Sequence, residues 1–367
     1  MCSGRLPVWK RCLKQRFETS KDLRHSKIRS YGLGPGKGQI DMKILLYEVR
    51  EDEKADIARI AGELGVEAVM TDEIPSLDNA GKAEGCEGVS ILGQGTIDAP
   101  LLDAWKKIGV GYLSTRTIGF NHIDVAYAKS IGMHVCNASY EPDGVSDFTI
   151  MMMLMCLRNY KQALWRGQVN DFALKGLMGR ELKHMTVGVI GTGKIGAQVI
   201  HSLSGFGCRI LAVDPFEKDE VKKYAEYVDR ETVYREADII TLHLPLTPEN
   251  YHMLNRETIA KMKDGVILIN CARGELADIG ALVEGIESEK IGALGLDTVE
   301  GEEGIIHEDH RIDILKNRNW FYLHQFRNVI FTPHMAFYTD TAVRSMVDCG
   351  IRGIVEMKEN GHYRTEL

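Results

Sequence analysis

Short apolar runs alternate with helical patterns along most of the chain. In the first half these runs, of four to eight residues each, fall at 42–49, 66–70, 88–92, 110–115 and 133–136. The second half repeats the texture with runs at 186–190, 209–213, 239–243, 266–270 and 292–296. Runs of this length are typical of buried strands. Because strands that alternate with helices form parallel sheets covered on both faces, the pattern predicts two α/β domains.

Two helices can be predicted from apolar spacing. After Asp278, a good N-cap residue, the apolar positions Ile279, Leu282, Val283 and Ile286 form one stripe, so this helix packs one face on a sheet. The segment 148–157 is apolar on every side, which predicts a helix buried all round. Burial within the core and packing against a second subunit are equally good explanations of that segment.

Charge divides the chain into two unlike parts. Residues 1–41 carry ten Lys/Arg and three Asp/Glu, whereas the remaining residues carry 35 Lys/Arg and 49 Asp/Glu within a total net charge of -7. Residues 1–41 lack sustained periodicity and end in a Gly/Pro cluster, so we expect a disordered basic extension there. The acidic body argues against a nucleic-acid partner, because such binding depends on Lys/Arg replacing counterions.

The length of the longest apolar stretch and the spacing of the cysteines indicate where in the cell the protein is found. The longest strongly apolar stretch, 148–157, is half of the roughly 20 residues that a membrane helix needs. The eight cysteines show no CxxC pair or short regular spacing, which is typical of reduced thiols. We therefore expect a cytoplasmic protein without a membrane partner.

A glycine-rich turn follows the predicted strand 186–190. Gly191, Gly193 and Gly196 form a GxGxxG motif that opens a helical pattern, and Asp214 ends the next predicted strand. In this context the motif predicts a dinucleotide site: Gly191 permits the turn, Gly193 admits the pyrophosphate and Gly196 allows close packing. Asp214 would accept hydrogen bonds from the ribose and repel a 2′-phosphate, so the sequence favours NAD as cofactor over NADP.

Three polar residues follow apolar strands or lie in loops near their ends, where parallel sheets collect ligands. They are Arg273, Glu302 and His334. An Arg can bind a carboxylate and polarise a carbonyl, and a His held by a Glu can protonate the new alkoxide. The three side chains together therefore suit the reduction of a 2-keto acid.

Five stretches extend this pattern over residues 42–367: Ser114-Thr-Arg-Thr-Ile-Gly-Phe-Asn-His-Ile-Asp124, Gly188-Val-Ile-Gly-Thr-Gly-Lys-Ile-Gly196, Ile269-Asn-Cys-Ala-Arg-Gly274, Asp297-Thr-Val-Glu-Gly-Glu302 and Thr332-Pro-His-Met-Ala-Phe-Tyr-Thr339. In these stretches the chain resembles the D-isomer-specific 2-hydroxyacid dehydrogenases, in their D-lactate dehydrogenase branch. The resemblance implies that Arg273 binds substrate, that Glu302 partners His334, and that His334 is the acid/base.

The same resemblance implies further site residues. At the substrate they are the backbone amides of Ile118 and Gly119, with Tyr140 and Phe337 nearby. At the cofactor they are Lys194, Ile195, Leu244, Pro245, Asn250, Cys271, Ala272 and Asp297. One departure lies before the helix at 148–157, where Asn137-Ala-Ser-Tyr-Glu-Pro142 replaces the commoner Val-Pro-x-Tyr-Ser-Pro, much as in the vancomycin-resistance enzymes.

The resemblance also implies an architecture. It places a Rossmann NAD-binding domain at 142–335, inserted in a flavodoxin-like substrate domain at 42–141 plus 336–367, with both parallel sheets doubly wound. It further implies a homodimer. The pair His307 and His310 invites a metal interpretation, but we expect no metal because hydride transfer needs none.

Pyruvate is the first substrate prediction, because the motifs match D-lactate enzymes and Phe337 would help to close a small pocket. Larger 2-keto acids remain open, with 2-hydroxyisocaproate, phenyllactate or 2-hydroxyglutarate as the products. A different class of function also stays open, namely an NAD(H)-sensing binding protein of the corepressor type, although retention of Arg273, Glu302 and His334 argues against it.

Overall fold

A computed structural model describes residues 29–30 and 42–367. The described part of the chain divides into two compact units, one formed by its residues up to Ser139 together with Arg344–Leu367, the other by Tyr140–Val343. The chain therefore crosses between the units twice. No helix in the described part of the chain combines the length and apolar character needed to cross a membrane.

The first unit is built on a sheet of six strands. They are β1 (Arg29–Ser30), β2 (Lys43–Leu46), β3 (Glu67–Met70), β4 (Gly88–Ile91), β5 (Tyr112–Thr115) and β6 (His134–Cys136), in the spatial order β1-β3-β2-β4-β5-β6. Its helices are α1 (Lys54–Leu64), α2 (Ala99–Lys107) and α3 (Val125–Ser130). The five strands from β2 to β6 are parallel and follow a 2-1-3-4-5 order, which is the flavodoxin-like arrangement.

The second unit is built on a sheet of seven parallel strands. They are β7 (Thr186–Ile190), β8 (Arg209–Val213), β9 (Glu226–Tyr227), β10 (Ile239–Leu242), β11 (Val266–Asn270), β12 (Ile291–Leu296) and β13 (Val329–Phe331). The spatial order is β13-β12-β11-β10-β7-β8-β9, so the direction of winding reverses between β7 and β10. This is the Rossmann order, and its ligand crevice lies at that reversal.

Helices cover both faces of the second sheet. They are α4 (Asp143–Leu157), α5 (Tyr160–Gln168), α6 (Lys194–Ser204), α7 (Asp219–Lys222), α8 (Arg230–Glu236), α9 (Arg256–Ala260), α10 (Ile279–Glu287) and α11 (Arg318–Gln325). The last helix, α12 (Asp340–Asn360), belongs mostly to the first unit, where its Val347, Ile351 and Ile354 pack in one core cluster with Ile44 of β2. Strand β11 shows why both faces are apolar. Ile267 and Ile269 pack in one core cluster and Leu268 in the other, so the whole strand is buried.

The predicted elements agree closely with the structure. Three predicted strands match exactly, at 186–190, 209–213 and 266–270, and Asp278 caps α10 by accepting hydrogen bonds from the amides of Gly280 and Ala281. Strands β9 and β13 were missed, because two and three residues are too short for a periodic signal.

Two expectations need correction. Arg29–Ser30 lies in the segment for which we expected no regular element, yet it pairs antiparallel with β3; the remainder of 1–41 lies outside the described residues. Helix α4 is not buried all round within the chain, because Met151 is 40% exposed and Leu154 and Met155 are half-buried.

Candidate active site

The glycine-rich turn joins β7 to α6 at the reversal of the second sheet. Gly191 has a φ of +94°, which favours glycine, and a Cβ at Gly196 would lie 1.9 Å from the Gly191 carbonyl oxygen. A Cβ at Gly193 would meet nothing within 4 Å, so the outer side of the turn is open. Lys194 and Ile195 form the first turn of α6, whose free amides suit a phosphate group.

Asp214 follows β8 and lies beside this turn. Its carboxylate accepts hydrogen bonds from the Thr192 amide at 2.7 Å and the Phe216 amide at 2.9 Å. The Thr192 hydroxyl is 2.8 Å from the phenol oxygen of Tyr227. The acidic side chain is therefore held in one position at the edge of the turn, a bracing that the motif alone did not reveal.

The loop after β10 forms the other side of the reversal and begins at His243, followed by Leu244. The Asn250 side chain donates to the Pro245 carbonyl at 2.7 Å and accepts from the Thr247 amide at 2.8 Å. Asn250 thus braces the loop. Burial lowers the pKa of His243 to about 4, so a neutral imidazole, absent from our sequence predictions, stands at the start of this loop.

Arg273, Glu302 and His334 follow three neighbouring strands. They lie after β11, β12 and β13, and the last residues of those strands are in register, with Asn270 opposite Leu296 and Leu296 opposite Phe331. Because parallel strands end at the same edge of a sheet, the loops that carry the three residues leave from one edge.

Glu302 and His334 form the central pair of this edge. The Nδ1 atom of His334 is 2.7 Å from Oε1 of Glu302, whose Oε2 accepts the Val299 amide at 2.9 Å. The pairing leaves Nε2 as the ring nitrogen available to a substrate. His334 has a φ of +49°, an uncommon value for a residue with a side chain, and its amide donates to the carbonyls of Thr332 and Asp297, both at 2.9 Å.

Asp297 fixes the loop that carries His334. Its carboxylate is buried and accepts hydrogen bonds from the Thr332 hydroxyl at 2.5 Å and from the amides of Met335 and Ala336, both at 2.9 Å. The sequence placed Asp297 near the nicotinamide by resemblance alone. Its position in the structure shows a second task, which is to fix the backbone on both sides of His334.

Arg273 lies on a braced turn as well. The buried Asn270 side chain donates to the Arg273 carbonyl at 2.8 Å and accepts from the Ala272 amide at 3.0 Å, which closes the turn that contains Cys271. Burial raises the pKa of Tyr140 to about 12, and the positive charge of Arg273 opposes that rise. Tyr140 and Arg273 are therefore electrostatic neighbours.

His307 and Phe337 flank His334. The His307 Nε2 atom is 3.2 Å from the His334 carbonyl oxygen, and its ring centroid is 6.4 Å from that of Phe337. His310 instead pairs with Asp313 at 2.8 Å. Among the described residues no group of three or more His, Cys, Asp or Glu side chains could hold a metal ion.

The remaining predicted substrate residues lie in the first unit, after β5. The Ile118 carbonyl accepts from the Asn137 side chain at 2.7 Å, and the Gly119 carbonyl accepts from the Thr117 hydroxyl at 2.6 Å. Within residues 42–367 neither the Ile118 nor the Gly119 amide donates a hydrogen bond. Two adjacent amides with spare donor capacity suit a carboxylate.

Comparison with known proteins decides the family. The sequence profile of the D-isomer specific 2-hydroxyacid dehydrogenase NAD binding domain matches residues 150–336. The chain belongs to this family. It is 45% identical to the aromatic 2-oxoacid reductase of Clostridium sporogenes over 324 residues, which cover 87% of this chain and 97% of that enzyme. It is 36% identical to the D-lactate dehydrogenase of Escherichia coli over 328 residues, or 89% and 100% of the two chains.

A solved structure agrees. The NAD-complexed D-isomer specific 2-hydroxyacid dehydrogenase of Lactobacillus delbrueckii ssp. bulgaricus superimposes with a TM-score of 0.78 at 31% identity, covering 89% of this chain and 100% of that one. The protein is therefore an NAD-dependent oxidoreductase of the D-2-hydroxyacid dehydrogenase type, with an acid as its small-molecule substrate. The open turn at Gly193, the first turn of α6 and the fixed Asp214 carboxylate fit this cofactor.

Proposed function

We propose that the protein reduces a 2-oxo acid to the D-2-hydroxy acid with His334 as the proton donor. The observation that carries this proposal is the 2.7 Å pair between His334 Nδ1 and Glu302, on a loop that Asp297 fixes. The Glu302 carboxylate complements the positive charge that the imidazole carries as an acid. Bound NADH supplies the hydride.

Each residue has one part in the proposed reaction. Arg273 binds the substrate carboxylate and polarises the carbonyl. Its fixed backbone and partly buried position suit this role. The amides of Ile118 and Gly119, in the first unit, are the second proposed set of carboxylate donors. As the carbonyl carbon takes up hydride, the proton on His334 Nε2 passes to the new alkoxide oxygen, and solvent reprotonates the ring afterwards.

For the cofactor we propose roles that follow the geometry. The turn at Gly191, Gly193 and Gly196, with Lys194 and Ile195, binds the pyrophosphate, and Asp214 binds the adenosine ribose. The loop of Leu244 and Pro245, braced by Asn250, lies along the nucleotide. The turn of Cys271 and Ala272, with Asp297, borders the nicotinamide. A single carboxylate at position 214 favours NAD over NADP.

Two substrate classes compete for the site. The short motifs favour pyruvate, whereas the 45% identity to an aromatic 2-oxoacid reductase, against 36% to a D-lactate dehydrogenase, favours an aromatic 2-oxo acid. We place phenylpyruvate-like acids first and pyruvate second. Pocket size alone discriminates such substrates only modestly, so both are expected to turn over.

A panel assay tests the proposal. Purified protein is given NADH with phenylpyruvate, 4-methyl-2-oxopentanoate, pyruvate or 2-oxoglutarate, and NADH oxidation is followed by absorbance. We expect kcat/KM to be highest for phenylpyruvate and the product to be the D enantiomer. A protein that binds NADH but oxidises it with none of these acids would contradict the proposal and favour a sensing function.

We also propose a cytoplasmic homodimer. Helix α5 and the segment after it expose large apolar side chains, including Trp165, Phe172 and Met178, and α4 exposes Met151. An apolar surface of this extent on one unit is typical of an interface between subunits. Light scattering should give twice the chain mass, and Trp165→Glu should shift the protein towards monomer.

A further inference from the structure

Glu48 occupies an unusual position for an acidic residue. It lies two residues after β2, is 4% exposed and has a φ of +56°. Residues other than glycine rarely adopt this conformation, and buried carboxylates are rare unless they are paired. Both features persist only where the surrounding structure imposes them, which is common next to functional sites.

The Glu48 carboxylate binds the loop after β4. It accepts hydrogen bonds from four consecutive amides, those of Leu92, Gly93 at 2.9 Å, Gln94 at 2.8 Å and Gly95 at 3.1 Å. Four donors converging on one carboxylate form a nest for a negative charge, and such charge-assisted bonds are stronger than neutral ones. The loop is therefore held in one conformation.

Arg116 holds the backbone of Glu48 from the other side. The guanidinium is fully buried and donates to the carbonyls of Tyr47 at 2.9 Å and Glu48 at 3.4 Å, and to the Glu53 carboxylate at 2.8 Å. Arg116 stands two residues before Ile118 in the chain. A single side chain thus ties the turn that contains Glu48 to the loop that contains the proposed carboxylate site.

A second route joins the two loops. A Cβ at Gly93 would lie 3.0 Å from the His122 ring, so this part of the β4 loop abuts that ring. The His122 Nε2 atom is 3.2 Å from the Thr115 hydroxyl, which is 2.6 Å from the Thr117 hydroxyl. Thr117 in turn donates to the Gly119 carbonyl at 2.6 Å.

We propose that Glu48 is a positioning residue for the substrate-carboxylate site at Ile118 and Gly119. Its carboxylate fixes the loop at 92–95, and that loop, through His122 and the two threonines, fixes the orientation of the Ile118 and Gly119 amides. The inference rests on the proposed function, since it assigns to Glu48 the preorganisation of amides that we propose to bind the 2-oxo acid. Preorganised donors bind an anion more tightly because less ordering remains to be done on binding.

The test uses Glu48→Gln, which keeps the shape but places an amide group among four N–H donors. Glu67→Gln on β3, an exposed residue paired with Lys43, is the matched control. We expect the KM for the 2-oxo acid to rise about tenfold in Glu48→Gln, with kcat within about threefold of wild type and the NADH Kd unchanged. The control should retain the wild-type KM.

Two results would overturn the inference. One is a folded Glu48→Gln protein with the wild-type KM; the other is a variant whose kcat, NADH affinity and Tm all fall together, which indicates a structural role only. If Glu48→Gln does not fold, Thr117→Val is tested in its place, because it removes the hydrogen bond from the Thr117 hydroxyl to the Gly119 carbonyl. An unchanged KM for the 2-oxo acid in Thr117→Val also overturns the inference. Wild-type protein inactive on every 2-oxo acid would instead defeat the proposed function, and this inference with it.

Discussion

The carboxyl edges of the two sheets present different chemistry. In the second unit the loops after β11, β12 and β13 offer side chains, those of Arg273, Glu302 and His334. In the first unit the loop after β5 offers backbone amides, those of Ile118 and Gly119. Functional side chains can be recognised in the sequence because their chemistry needs particular residue types. A backbone amide cannot be recognised in this way, because almost any residue supplies one.

Both edges are nevertheless built with the same device. A buried carboxylate accepts several hydrogen bonds from a loop: Asp297 from Thr332, Met335 and Ala336, and Glu48 from the amides of 92–95. The comparison assigns proton transfer and the substrate contact of Arg273 to the edge of the second unit, and binding of the substrate carboxylate by backbone amides to the edge of the first. Substitutions at the two edges and at the cofactor turn test this division of roles.

Removal of the proton donor should give the largest effect. His334→Ala is expected to lower kcat by about 10² to 10⁴, the usual contribution of a general acid, and to leave the NADH Kd unchanged. Steady-state kinetics and fluorescence titration with NADH measure the two quantities. The exposed His184→Ala is the control, and near-normal turnover in His334→Ala would disprove the assignment.

Loss of the Asp297 carboxylate, which fixes the His334 loop, should give the second-largest effect. Asp297→Asn replaces an acceptor of three hydrogen bonds by a group that can accept at only one oxygen, so the His334 loop shifts. Misplacement by about 1 Å can cost about 10²-fold in rate, so we expect kcat to fall by about 10- to 100-fold. The substrate KM should change far less than in Glu48→Gln; the reverse pattern would break the division between the edges.

The cofactor side should respond more mildly. Asp214→Asn keeps the shape of the side chain but removes the charge, and we expect the KM for NADH to rise about tenfold because hydrogen bonds to a charged group are worth about 1.5–3 kcal/mol. The preference for NADH over NADPH should shrink at the same time. The exposed Asp219→Asn is the control, and an unchanged cofactor preference would count against the role of Asp214.

The smallest effect at neutral pH should come from His243. Its pKa is lowered to about 4 by burial, so well above pH 6.5, the ordinary pKa of the unfolded side chain, the residue is neutral in both states and does not alter stability with pH. Between about pH 6.5 and pH 4 the unfolded chain takes up the proton first, which costs the folded state up to roughly 3 kcal/mol. The Tm of His243→Asn should therefore fall less than the Tm of wild type between pH 6.5 and pH 4. Plots of Tm against pH that run parallel for the two proteins would contradict the lowered pKa of His243.

Much of the second unit could be predicted from the sequence. Its buried strands are continuous apolar runs, and GxGxxG, Asp214, Arg273, Glu302 and His334 are residue types that their chemistry requires. The family resemblance then implied further positions, such as Lys194, that the chemistry of a single sequence does not specify.

The supporting residues could not be predicted in this way. Glu48 looks like one more charge after a strand, and its burial depends on amides more than 40 residues away in the chain. The hydrogen bonds of Asp297 and the buried state of His243 likewise arise from tertiary packing. The exposure of Met151 escaped prediction because composition does not show which side of an apolar helix the fold leaves open.

A single-turnover experiment tests the central division most directly. Enzyme in excess over NADH is mixed with phenylpyruvate at a series of concentrations up to saturation in a stopped-flow instrument, and NADH absorbance is followed for wild type, His334→Gln and Glu48→Gln. We expect His334→Gln to lose the rapid oxidation at every substrate concentration, whereas Glu48→Gln should reach a near-wild-type limiting rate at a higher half-saturating concentration. A fast limiting rate in His334→Gln, or a slow one in folded Glu48→Gln, would contradict it.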